Sequence, residues 1–331
     1  MARNDTKIEW THVPGYRGAT WNPVTGCSHV SDGCVNCYAE ELATGRLKGS
    51  PGYPGLPWTK ANADVNVIEH PDRLDQPLRQ KAPRAYFVNS MSDLFHENVS
   101  DRFLDRAFAV MALTPRHLYM ILTKRPERMY EYLRPSPFDV IPTAGPSLPV
   151  PLVGSFDLEN ISEWEEDGEG RESIVPMWPL PNVWLGVSAE RQRELEQRVP
   201  PLLATPAAVR FVSAEPLLGP LDLGSYLPIH TAADGVTDGS TRGPRSRNLD
   251  GSYRDAPSDG GPLDWVIVGG ESGPKRRPME MRWLHDIGRQ CRRAGTPLFV
   301  KQDSAYRPGQ QGRIDDELWA EKNWPTGASL L

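Results

Sequence analysis

Six short runs of aliphatic, aromatic and β-branched residues punctuate the chain, and each stops abruptly at polar residues. They are Ala85–Val88, Leu118–Leu122, Val183–Val187, Val209–Val212, Trp265–Val268 and Leu298–Val300. Unbroken apolar runs of this length suit strands buried on both faces, as in a parallel sheet, better than the alternation of a half-exposed strand. Between the runs the apolar period becomes that of a helix. Ser100 can cap a segment from Asp101 in which Leu104, Ala107, Phe108 and Met111 share one face. Pro126 opens a second helix through Tyr130 and Leu133. Glu190–Arg198 and Met279–Arg293 make two more, the latter with Met281, Leu284, Ile287 and Cys291 in one stripe, which reads Cys291 as a core residue. A further helix is expected to start after Cys37. Strands alternating with helices predict βαβ units with right-handed crossovers, and so an α/β fold built as a partial or full (β/α) barrel.

Two segments break the rhythm. Residues 134–181 are dense in proline and then acidic, and residues 231–262 are rich in Gly, Ser, Asp and Arg with almost no large apolar side chain. Neither can bury much surface, so both read as loop insertions in one barrel-like domain spanning residues 1–331. The abundance of turn formers, 33 Pro and 29 Gly in 331 residues, agrees with long loops around an ordinary core.

Charge and hydropathy narrow the setting. The net charge of −6 argues against a generic nucleic-acid coat, although a local basic channel stays compatible with it. No run approaches the roughly 18 apolar residues of a membrane span, and no apolar signal region follows the first residues, so a cytoplasmic protein with no membrane partner is expected. Three of the four cysteines fall between positions 27 and 37. In a reducing compartment such clustering favours metal binding over disulfides.

The residues that follow each apolar run carry the next signal. They are Asn89-Ser90-Met91-Ser92-Asp93, Thr123-Lys124-Arg125, Ser188-Ala189-Glu190, Ser213-Ala214-Glu215-Pro216, Gly269-Gly270-Glu271-Ser272-Gly273 and Lys301-Gln302. In a parallel barrel all these tips lie on one face, where active sites are built. Wet loops and helix caps explain Ser92 and Asp93. They explain poorly the recurrence of Glu190, Glu215 and Glu271, because capping favours Ser, Thr, Asp or Asn.

The cysteines are spaced C-x6-C-x2-C, at Cys27, Cys34 and Cys37, on a stretch whose Pro23, Gly26 and Gly33 suggest a looped backbone. Three thiolates on a 4Fe–4S cluster leave one iron open for chemistry. A zinc ion held by the same thiolates with His29 as a fourth ligand is the main alternative, in which case the chain is a zinc-stabilised interaction module without catalysis. Against zinc, no second Cys-x2-Cys or His pair follows downstream. A thioredoxin-type redox pair would leave Cys27 idle.

These residues carry a resemblance. Lys7-Ile8-Glu9-Trp10-Thr11, Thr20-Trp21-Asn22-Pro23-Val24-Thr25-Gly26-Cys27 and Gly33-Cys34-Val35-Asn36-Cys37-Tyr38-Ala39-Glu40 resemble the three-cysteine-motif family common in bacteriophages and prophages. The likeness continues through Ser92-Asp93-Leu94-Phe95-His96, Leu122-Thr123-Lys124-Arg125-Pro126, Gly186-Val187-Ser188, Ser213-Ala214-Glu215-Pro216-Leu217, Gly269-Gly270-Glu271-Ser272-Gly273 and Phe299-Val300-Lys301-Gln302. That family is itself similar to radical S-adenosylmethionine enzymes, whose motif has a shorter gap between its first two cysteines and an aromatic residue where this chain has Asn36.

The resemblance implies a barrel of radical S-adenosylmethionine type, a 4Fe–4S cluster on Cys27, Cys34 and Cys37, and bound S-adenosylmethionine. It also implies an external electron donor and reductive cleavage of the cofactor to a 5′-deoxyadenosyl radical. Asn89, Ser90, Ser92, Asp93, Glu190, Gly269, Gly270 and Glu271 are then expected around the cofactor, and Lys124, Glu215 and Lys301 around the reacting substrate. The phage setting suggests a nucleic acid or nucleotide as that substrate. Lys275-Arg276-Arg277 can contact phosphate, although a charge triplet is more often a solvated surface feature. A cluster protein transferring a group from S-adenosylmethionine without radical chemistry is a third reading.

Overall fold

The computed structural model describes residues 6–134, 162–166, 172–176, 178–228, 245–247, 253–255 and 261–325. Seven parallel strands form one sheet in which spatial order equals chain order: β1 (Arg17–Trp21), β2 (Arg84–Val88), β3 (Leu118–Thr123), β4 (Val183–Ser188), β5 (Val209–Ala214), β6 (Trp265–Gly269) and β7 (Leu298–Gln302). Every pairing is parallel, so all the strands end on the same side. The sheet curls into a partial (β/α) barrel flanked by helices α1 (Tyr38–Thr44), α2 (Asp101–Ala112), α3 (Pro126–Leu133), α4 (Gln192–Ala204) and α5 (Met281–Ala294).

All six expected strands are present, each extended by a residue or two. The sequence reading missed β1, because Arg-Gly-Ala-Thr-Trp contains no apolar run. One face of β1 supplies Ala19 and Trp21 to the core. On the other, Gly18 passes so close to the preceding turn that a Cβ would sit 2.3 Å from Thr11 Oγ1. The helix expected at Glu190–Arg198 begins two residues later, after Arg191, which is extended at φ −146°, and runs on to Ala204 through Pro200 and Pro201. Its delayed start leaves Glu190 free to turn inward. Ser100 caps α2 as expected, accepting a hydrogen bond from Phe103 N, and α5 ends at Gly295 in the left-handed conformation.

The strands have two buried faces because two separate layers cover them. Outside, Tyr86, Val88, Tyr119, Ile121, Leu185, Val187, Val212, Val266, Val268 and Val300 pack beneath α2, α4 and α5, with Cys291 in that core. Inside the curl, Ala85, Met120, Trp184, Phe211, Trp265, Ile267 and Phe299 form a second, aromatic core. Trp10, on a one-turn helix (Glu9–Thr11), plugs it, with its ring centroid 4.8 Å from Phe87, 6.2 Å from Trp265 and 6.4 Å from Phe211. Gly186 has no side chain for the same reason: a Cβ there would lie 2.4 Å from the Phe211 ring. Each fully buried aromatic ring contributes on the order of 2–3 kcal/mol.

The β7 edge is covered by the C-terminal segment, whose Lys322 bridges Phe299 in antiparallel fashion while Asn323 N donates to Leu298 O at 3.0 Å. Backbone groups that would otherwise stand open at a sheet edge are thereby paired. Trp324 Nε1 then donates to Trp10 O at 2.8 Å, and Trp265 Nε1 to Asn323 O at 2.8 Å. The end of the sheet at which the strands start is therefore closed.

Much of the two insertions read at 134–181 and 231–262 lies outside the described residues. Within them, Ser162–Glu166 pairs antiparallel with Glu172–Pro176, and Arg245–Arg247 with Tyr253–Asp255. Among the described residues no helix is long and apolar enough to cross a membrane.

Candidate metal centre at the open end of the sheet

The connection from β1 to β2 carries the cysteines across the end at which the strands finish. Val24–Thr25 pairs antiparallel with Ile68–Glu69, and Gly26 follows at φ +80°, where a Cβ would lie 1.8 Å from Asn66 O. Only glycine fits that turn. Gly26 N donates to Met91 O at 3.0 Å and Ser92 Oγ to Val24 O at 2.8 Å, so the tip of β2 fixes the approach to Cys27. Cys34 ends a single 3-10 turn (Asp32–Cys34), and Cys37 is the residue before α1.

Three strand tips hold this loop. Tyr38 Oη donates to Ser90 O at 2.6 Å beyond β2, and Gly33 N to Glu190 Oε1 at 3.1 Å beyond β4. Asn36 Nδ2 donates to Glu271 Oε2 at 2.9 Å beyond β6, and Arg277 Nη2 to Asp32 O at 2.9 Å. Asn36, the position at which the chain departs from the radical S-adenosylmethionine motif, thus ties the cysteine loop to the sheet.

Arg125 is the anchor beneath Cys27. Its Nη1 donates to Cys27 Sγ at 3.5 Å and to Asp93 Oδ2 at 3.1 Å, its Nη2 to Ser28 O at 3.2 Å and Ser28 Oγ at 3.0 Å, and its Nε to Glu97 at 3.0 Å. Both Arg125 and Asp93 are buried. Asp93 also accepts from Thr123 Oγ1 at 2.7 Å, Lys124 N at 3.1 Å and Phe95 N at 3.1 Å. Burial alone would raise its carboxyl. The Arg125 charge and these donors outweigh that and hold it below the usual aspartate value.

The three glutamates at the tips have separate fates. Glu190 is fully buried and pairs with Arg198 Nη1 at 2.9 Å while holding Gly33 N. Burial opposes its ionisation, but Arg198, Ser31 and Lys124 keep it charged. Glu271 pairs with Arg277 at 2.6 Å and accepts from Asn36, which together overcome burial and lower it as well. Glu215 pairs with Lys301 at a site that is one-fifth exposed.

The remaining expected residues fall into two groups. Ser90 Oγ donates to Asn22 Oδ1 at 3.2 Å. Gly270 has both backbone groups bound by Gln302, at 2.9 Å and 2.8 Å, and Gly269 O accepts from Leu217 N at 2.9 Å. Ser92, Asp93, Glu190, Gly269, Gly270 and Glu271 are thus engaged in building the open end. Lys124 Nζ lies 3.3 Å from Ser188 Oγ and, with the Glu215–Lys301 pair, leaves charge accessible there. Asn89 is 2 % exposed with φ +59°, and its Nδ2 has no hydrogen-bond partner among the described residues.

Sequence reasoning missed Asn22, Tyr38, Arg198 and the pairing role of Arg277. Asn22 and Tyr38 act through Ser90, 68 and 52 positions away. Arg198 and Arg277 reach back to Glu190 and Glu271 at the strand tips, at spacings outside the i,i+3 and i,i+4 pairs of a helix. Of the triplet Lys275-Arg276-Arg277, Arg277 is held by Glu271 rather than free in solvent.

The three thiols are half-buried and form no disulfide. Burial, followed by the Asp93 charge, pushes the Cys27 thiol up to about 12 against the opposing pull of Arg125. Burial also raises Cys37, opposed by the N–H groups of Glu40 and Ala39 and by Lys124. Cys34 is close enough to act electrostatically on both. Among the described residues, no three His, Cys, Asp or Glu side chains converge around a single ion. His29, the fourth ligand in the zinc reading, is held by Glu40 at 2.5 Å.

No curated protein and no solved structure matches the chain. Residues 5–324, nearly the whole length, match one family, and the chain belongs to it: "Protein of unknown function (DUF5131)".

Proposed function

We propose that the chain is an iron–sulfur enzyme of radical S-adenosylmethionine type, with Cys27, Cys34 and Cys37 as cluster ligands. The observation that carries this reading is the cysteine loop itself, three unpaired thiols tied to the tips of β2, β4 and β6 at the open end of a parallel partial barrel. When bound, a three-thiolate 4Fe–4S cluster with S-adenosylmethionine supplies one-electron reductive cleavage of the sulfonium to methionine and a 5′-deoxyadenosyl radical.

The chain's own residues do the rest. Arg125 beside Cys27 and Lys124 near Cys37 oppose the burial that raises both thiols, and so work toward the thiolate forms that ligation requires. Asn89 offers its unpartnered amide to a cofactor carbonyl or carboxylate. Lys124, Lys301 and Glu215 line the accessible part of the open end and suit an anionic substrate such as a nucleotide or nucleic acid, with Lys301 able to hand a proton to or from Glu215. An external donor in the cytoplasm supplies the electron.

Anaerobic reconstitution with iron and sulfide is the test. The expected result is about four iron and four sulfide per chain, lost in the Cys34→Ala variant, and 5′-deoxyadenosine released on adding S-adenosylmethionine and dithionite. Uptake of one zinc and no iron overturns the reading. Methylthioadenosine or S-adenosylhomocysteine in place of 5′-deoxyadenosine overturns the radical step and leaves a group transferase.

A further inference from the structure

Behind the cysteine loop, on the outside of the sheet, lies a pocket of about 300 Å³ between residues 30–32 and the first turns of α4. That volume stands at the lower end of small-molecule sites. The proposed function uses none of its lining, which contains three guanidinium groups, Arg191, Arg193 and Arg198, against two carboxylates, Asp32 and Glu194.

Their states differ. Arg191 pairs with Asp32 at 2.5 Å across the pocket and ties the loop to the helix. Arg198 is buried, and its Nη1 alone makes both of its bonds, to Ser188 O at 2.8 Å and to Glu190 at 2.9 Å. Its Nε and Nη2 make no hydrogen bond among the described residues. Arg193 is exposed and has neither a hydrogen-bond nor an ion-pair partner among them. Glu194 is the anomaly. It is 7 % exposed, yet its Oε2 is buried without a partner although three arginines line the same pocket. A buried carboxylate oxygen left unbonded is costly, and native proteins rarely keep one that nothing satisfies.

We propose that this pocket binds a small oxyanion bearing a hydrogen-bond donor beside its charge, with Arg193 and Arg198 on the oxyanion and Glu194 on the donor. A phosphomonoester with neighbouring hydroxyls and an α-amino acid both present that chemistry. Arginine forks match phosphate and carboxylate oxygens alike, while Glu194 rejects an oxyanion that brings no donor. The assignment stands without the cluster reading.

Isothermal titration of the full chain with adenosine 5′-monophosphate, L-alanine and inorganic sulfate, which carries no donor at neutral pH, tests it. Saturable one-site binding is expected for one of the first two, which identifies the source, and sulfate should bind about tenfold more weakly. Arg193→Ala and Glu194→Ala should each weaken the bound ligand about tenfold. Arg193→Ala alters an exposed side chain and decides the matter if Glu194→Ala does not fold. The proposal is overturned if none of the three binds at about millimolar concentration, if sulfate binds as tightly as the donor-bearing ligands, or if Arg193→Ala leaves affinity unchanged.

Discussion

The same seven strands meet opposite environments at their two ends. Where they start, Trp10, Trp184, Phe211, Trp265 and Phe299 interlock and the segment around Trp324 closes over them. Where they finish, Asp93–Arg125, Glu190–Arg198 and Glu271–Arg277 hold a loop of three cysteines beside the Glu215–Lys301 pair. The closed end gains stability from shape and area, which tolerate little loss of volume. At the open end buried charges are paired, so each pair adds little net stability but loses much when one partner is removed. Stability is thus concentrated at the closed end and positional definition at the open one.

The largest expected effect comes from removing the plug. Trp10→Ala should cost about 3–5 kcal/mol in denaturant unfolding, as for other buried aromatic truncations, while leaving the reactivity of Cys27 toward an alkylating reagent unchanged in the folded protein. A cost below about 1 kcal/mol would mean that the aromatic core closes without it.

Asp93→Asn attacks the other end. It leaves Arg125 Nη1 and Lys124 N facing an amide, and a broken buried pair of this kind costs about 3 kcal/mol or somewhat more. Here Cys27 alkylation should accelerate, because Asp93 is one of the groups that raise its thiol and its loss leaves the lowering effect of Arg125 unopposed by that charge. Equal alkylation rates in the two variants would erase the distinction between the ends.

Titration gives the smallest effect. His117, buried just before β3 at the closed end, is pushed down to about 4 by burial, then by Arg116. Its Nδ1 accepts from Arg84 N at 3.2 Å, while Nε2 faces Pro77 O at 3.0 Å, the pattern of a neutral ring. The unfolded chain binds the proton more readily, so this stability is complete above the ordinary histidine value and declines as pH falls from there toward 4. The loss is about 3 kcal/mol at most. Asp93, Glu190 and Glu271, with lowered values, lose their contribution only at still lower pH, below the ordinary carboxylate range. The closed end should therefore weaken first, and His117→Gln should flatten stability between pH 6.5 and 4. An unchanged slope in that variant would remove His117 from the account.

The sheet was legible because strands covered on both faces carry continuous apolar runs. β1 escaped notice because Gly18 and Thr20 give one of its faces no apolar bulk. The helix starts were legible to within two residues, although α4 runs on six residues beyond the Arg198 read as its end. The shift at its start has a cause in Glu190, a residue that looked like the first turn and instead reaches Gly33 and Arg198. At the open end the residue types were visible but their partners were not. Glu190 and Glu271 have the composition of ligand-binding groups. Their use as clamps depends on Arg198, Asn36 and Arg277, brought together only by the fold. The cysteines were visible as a group because three of the four lie between positions 27 and 37, a signal that needs no knowledge of the fold.

The hydrogen bond from Trp324 to the carbonyl of Trp10 joins residues 314 positions apart. A ribosome must release every residue up to Trp324 before that contact can form. Until then the aromatic core inside the curl lacks its last cover, and the nascent chain carries a partly open apolar surface. Truncation before Trp324 would leave that cover off for good.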